Sequence, residues 1–183
     1  PREGLPDPAP RHRAAPRRAA ARTGIEARRI NTQLSETEIV ATLGASSHLA
    51  ALDQSALVFL IRFGNVRQFA AAEALMRQGE PSTSVHFILT GEVSVERQRR
   101  SDSQPVVLAR LGSGEIVGEM GVLVERPRSA TVIAVEPTTT LELDAASFHR
   151  AARAFPILHR VLAKLLSERL RRTSERVGDE RRS

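Results

Sequence analysis

A chain of 183 residues can enclose one hydrophobic core but is short for two domains with linkers. It contains no cysteine, which excludes disulfides, thiolate metal sites and a cysteine nucleophile, and no run approaches the roughly 18 apolar residues that a membrane-crossing helix needs. The net charge of +6 is mostly local: residues 1–30 hold eight arginines against Glu3, Asp7 and Glu26, a balance of +5 that leaves the remainder near neutral.

That opening segment combines Ala, Pro and Arg with hardly any large apolar residue, so it cannot bury enough surface to offset its ordering entropy. Residues 1–33 are therefore expected to be a disordered tail or linker. Residues 34–178 are expected to form one domain and residues 179–183 a C-terminal tail. Pro1 in place of Met is what a piece of a longer product would show, and a cysteine-free chain fits a reducing, cytoplasmic compartment.

Two short helices lead in. Ser35-x-x-Glu38 is a capping-box pattern ahead of Ile39, Val40 and Leu43, and Asp53 can cap a second helix carrying Ala56, Leu57, Leu60 and Ile61. From Asn65 the texture changes to short runs rich in Val, Ile, Leu and Phe, broken by Gly, Pro, Ser and Thr. The expected strands are Val66–Phe69, Ala74–Arg77, Val85–Thr90, Val93–Arg97, Val106–Leu111, Ser129–Val135 and Thr139–Leu143. In the third of these, Val85, Phe87 and Leu89 alternate with His86, Ile88 and Thr90, which predicts one apolar face.

After Asp144, a further capping residue, the pattern returns to helix, and Pro156 suits the opening of the last one. There Leu158, Leu162, Leu166, Leu170, Thr173 and Val177 make a stripe beside Ile157, Val161 and Leu165. The first third is expected to pack on the β structure and the distal part to present a seam, for instance to a second copy. His12, His48, His86, His149 and His159 lie scattered with no metal-ligand spacing and are expected to face solvent. No metal site, P-loop or nucleophile elbow is found, and nothing points to catalysis.

The most informative stretch is Gly112–Val132. Gly118-Glu119-Met120-Gly121-Val122, a short gap, then Pro127-Arg128-Ser129-Ala130-Thr131 resembles the phosphate-binding cassette of cyclic-nucleotide-binding domains, the family of catabolite activator proteins and protein kinase A regulatory subunits. Gly79-Glu80, Phe87-Ile88-Leu89-x-Gly91-x-Val93, Gly112-x-Gly114, and Phe148 followed by Pro156 agree with it. The resemblance implies a mainly β fold, an eight-stranded jelly-roll-like barrel flanked by N-terminal and C-terminal helices.

It also implies a site. A cyclic phosphate diester carries one permanent negative charge, and the planar fork of a guanidinium matches two of its oxygens, which makes Arg128 the clamp. Residues 119–123 would form one helical turn with its backbone N–H groups toward the anion, and Ser129 and Ala130 would complete the cradle. Like charges repel, so by resemblance Glu119 accepts instead from the ribose 2′-hydroxyl. Gly118 and Gly121 belong to the same motif, and Met120, Val117 and Leu123 are expected to wall the pocket.

Glu168–Gly178 is similar to the dimerisation helix of the catabolite activators, in which Thr173 and Ser174 would reach the adenine base. Only five residues follow Gly178, so no helix-turn-helix follows and DNA binding by this chain itself is not implied. The implied function is a non-catalytic cyclic-nucleotide sensor without a cofactor, its ligand cAMP or else cGMP, acting on a partner copy or a fused effector. Two alternatives stay open: the effector half of a transcription regulator, and a degenerate barrel that serves only for dimerisation or interaction.

Overall fold

The computed structural model describes residues 34–98 and 104–180, with side chains along the last helix described as far as Arg172. The expectations for residues 1–33, and for the side chains of Thr173 and Ser174, therefore lie outside the described residues. Helices α1 (Glu36–Ala45) and α2 (Gln54–Phe63) precede β1 (Asn65–Phe69), β2 (Ala74–Met76), β3 (Ser84–Thr90), β4 (Val93–Arg97), β5 (Val106–Leu111) and β6 (Ile116–Val117). The one-turn helix α3 (Glu119–Leu123) separates these from β7 (Thr131–Ala134) and β8 (Thr138–Asp144), after which come α4 (Ala145–Ala154) and α5 (Ile157–Glu180).

The helix starts follow from local chemistry. The Ser35 hydroxyl accepts from the Glu38 N–H at 3.3 Å while Glu38 accepts from the Ser35 N–H at 2.7 Å, so both halves of the capping box form. The carboxylates of Asp53 and Asp144 accept from the N–H groups of Ala56 and Ser147, each at 2.8 Å.

The strands form two four-stranded antiparallel sheets, ordered β1-β8-β3-β6 and β2-β7-β4-β5. Met76, Ile88, Val93, Leu111, Val117 and Val132, drawn from both sheets, make a small core between them. A larger core joins Val85, Phe87 and Leu89 of β3 and Leu141 and Leu143 of β8 to buried residues of α1, α2, α4 and α5. The apolar face predicted for β3 is thus the face under the helices.

The opposite face of β3 is buried as well. Ile88 enters the core between the sheets, and His86 is 2% exposed, which corrects the expectation of a solvent-facing histidine. The cause is position: β3 lies between β8 and β6, with helices on one side and the second sheet on the other. The short strand β6 was not among the predicted runs. It pairs His86 with Val117 and Phe87 with Ile116, and so delivers the chain to Gly118.

Candidate functional site

The sequence after β6 makes a sharp turn that only glycine accommodates well. Gly118 has φ +86°, and a Cβ there would lie 2.7 Å from Arg128 Nη1 and 2.9 Å from the Met76 methyl. The chain then enters α3, crosses an irregular stretch with Glu125 at φ +50°, and returns through Arg128 to β7. The backbone of Arg128 is fixed on both sides, its N–H donating to Glu80 O at 2.8 Å and its carbonyl accepting from Gly79 N–H at 2.9 Å.

The Arg128 side chain folds inward and is 6% exposed. Nη1 donates to Gly118 O at 2.8 Å and Nη2 to Ser84 Oγ at 3.2 Å. Among the described residues no carboxylate pairs with it within 4.0 Å. Burial lowers its pKa, opposed by the more distant charges of Glu80, Glu119 and Glu142.

Glu119, 1% exposed, has a different partner. Arg169 of α5 reaches into the site, donating through Nη1 to Glu119 Oε1 at 2.5 Å and through Nη2 to Ile116 O at 2.5 Å. Burial raises the Glu119 pKa, and the Arg169 charge is the largest influence opposing it.

These groups line a cavity of about 60 Å³ together with Met76, Val95, Val117, Met120, Gly121, Ser129, Ala130 and Val132. Gly118, Glu119, Met120, Gly121, Arg128, Ser129 and Ala130, all singled out in the sequence, are brought together around this one cavity. Ala130 is 8% exposed, whereas Ser129 is exposed at the rim. Leu123 departs from expectation: it packs against the larger core and does not line the cavity.

Arg169 is the site residue that sequence reasoning missed. A signal existed, because Leu158, Leu162 and Leu165 are buried and the next step of four along the same face is residue 169. An arginine on a buried stripe calls for a partner. The rows drawn from the sequence ran instead through Leu166 to Leu170, but Leu170 is 70% exposed.

Residues 66–155 match the family model of the cyclic nucleotide-binding domain. This domain belongs to that family. Among curated proteins, the chain is 36% identical over 132 residues to Glutaminase 2 of Bradyrhizobium diazoefficiens, covering 70% of this chain and 20% of the relative. It is 34% identical to the Pycsar effector protein PaPycTIR of Pseudomonas aeruginosa, covering 64% of this chain and 37% of that protein. The chain thus spans a fifth to about two fifths of these relatives. Among solved structures, the Thermus thermophilus catabolite activator protein superposes with a TM-score of 0.64 at 28% identity, covering 72% of this chain and 61% of that one. The cyclic nucleotide-binding fold is thus reached independently through the sheets, the family model and a structural neighbour.

Proposed function

We propose that this domain is a regulatory sensor whose first ligand is cAMP, with cGMP the second candidate, and that α5 carries the signal to a partner copy or a fused effector. The observation that supports it most is Arg128, a guanidinium that is 6% exposed, lines the cavity and, among the described residues, is hydrogen-bonded only to neutral oxygens. An ion taken from water with its counter-charges only at a distance is disfavoured, and an anion entering the cavity relieves that. A cyclic phosphate diester has the matching charge and geometry.

In this reading Glu119 accepts the ribose 2′-hydroxyl, and Gly118, Met120, Gly121, Ser129 and Ala130 wall the sugar-phosphate. Thr173 and Ser174 are the proposed base contacts. That this stretch makes up 20% and 37% of two longer relatives supports coupling to a fused effector.

One observation favours a second reading. Glu119 is already engaged by Arg169, an arrangement also expected of a barrel kept only as an interaction module. Calorimetric titration with cAMP, cGMP and 5′-AMP separates the two. The expected result is micromolar or tighter cAMP binding, none for 5′-AMP, and loss of at least about thirtyfold in Arg128→Glu, the low end for a desolvated charge partner. Silence from every nucleotide on a folded sample overturns the sensor and leaves the interaction module.

A further inference from the structure

Arg128 has a support that its own motif does not contain. The Ser84 hydroxyl accepts from Arg128 Nη2 at 3.2 Å and stands 3.3 Å from His86 Nε2, while His86 Nδ1 stands 3.0 Å from Thr140 Oγ1. Ser84, His86 and Thr140 are 7%, 2% and 0% exposed, so water does not substitute for a missing partner. A guanidinium can only donate, and a hydroxyl has one hydrogen. With one lone pair of Ser84 taken by Arg128, its one hydrogen can be given to His86 Nε2, which leaves that nitrogen bare and the Nδ1 hydrogen for Thr140 Oγ1.

We infer that His86 is a positioning residue for the ligand-binding arginine. It is held as the neutral Nδ1–H tautomer, so that donation runs in one direction from Arg128 through Ser84 and His86 to Thr140. A ring proton on Nε2 would remove the acceptor that orients Ser84, and an imidazolium would in addition turn a positive ring toward the guanidinium. Glu142 Oε1, 3.8 Å from Nε2, is too far to serve as that ring's hydrogen-bond acceptor. The chain fixes which of its two lone-pair directions Ser84 offers, and so fixes the plane of the guanidinium before an anion arrives. Bonds aligned in one sense polarise one another, which makes the whole run more rigid than its separate pairs.

The inference rests on Arg128 being the ligand clamp, and two experiments keep the failure of that reading apart from its own. The first needs no ligand: nitrogen-detected NMR of the ¹⁵N-histidine-labelled domain near pH 7 should show His86 with a protonated Nδ1 and a bare Nε2. The opposite tautomer, or an imidazolium, overturns the inference whether or not any nucleotide binds. The second is a double-mutant cycle read by cAMP titration. Ser84→Ala and His86→Phe should each weaken binding about tenfold, the scale of a hydrogen bond to a charged group. The double variant should be no worse than Ser84→Ala alone, because His86 acts through that hydroxyl. His86→Gln, whose carbonyl can accept from Ser84, should recover most of the loss. Additive losses, or wild-type affinity in His86→Phe, overturn the positioning role. If the wild-type domain itself binds no nucleotide, the sensor reading fails while the tautomer still decides the network.

Discussion

Gly118 holds together three constraints that no other residue type meets. Its φ of +86° disfavours any side chain, its missing Cβ leaves room for Arg128 Nη1, and its carbonyl accepts from that same atom. Gly118→Ala should therefore act twice. Chemical denaturation should show a loss of about 1–3 kcal/mol from left-handed strain and overpacking. Titration should show cAMP affinity reduced at least tenfold, because the added methyl displaces the guanidinium. A variant that is destabilised but binds normally would mean that Arg128 is not the group the ligand requires. The motif residues were legible at this scale because Glu119 and Arg128 lie nine positions apart in one continuous stretch. The burial of His86 was not, since it depends on β6, β8 and the second sheet all covering β3.

At the scale of the element, Arg169 ties α5 to the site. Arg169 bridges Glu119 and the Ile116 carbonyl, so the helix and the turn before α3 share a charge pair. Arg169→Ala leaves the Glu119 carboxylate buried without its counter-ion. Removing one partner of a buried pair is strongly destabilising, and with the Arg169 side chain 23% exposed the expected loss is about 2–4 kcal/mol. Glu119→Gln in the same background should restore part of that stability, giving a clearly non-additive cycle in urea unfolding. A change below about 0.5 kcal/mol in Arg169→Ala would instead assign the contact to the weak class of surface ion pairs. The caps at Ser35, Asp53 and Asp144 were readable because cap and partner are three residues apart. The Arg169 contact spans 50 positions, and only the buried phase of α5 could have hinted at it. Leu170 shows the same limit: its spacing fits the stripe drawn from sequence, but the packed face turns through Leu165 and Arg169.

At the scale of the whole molecule, two sheets enclose a polar run within an otherwise apolar interior, and this sets how the fold responds to acid. Burial, the Arg128 charge and the Arg67 charge together lower the His86 pKa to about 4, against an ordinary value of 6.5. Glu142, 3.8 Å from the ring, is the nearby charge of opposite sign. Because the folded-state value is the lower one, the unfolded chain binds the proton more readily between the two. The contribution of neutral His86 is fully present above about pH 6.5 and is lost as the pH falls toward 4, an effect on the order of 3 kcal/mol. Glu119 works in the opposite sense, since burial raises its pKa and its protonation favours the folded state as the pH falls. Comparing the wild type with His86→Phe cancels the Glu119 contribution. Unfolding free energies measured from pH 7.5 to 4 should fall more steeply in the wild type, with the difference confined to that window. Parallel curves would mean that His86 takes up its proton as readily in the folded chain as in the unfolded one, so that below about pH 6.5 the Arg128 guanidinium would face a second buried positive charge before any anion arrives.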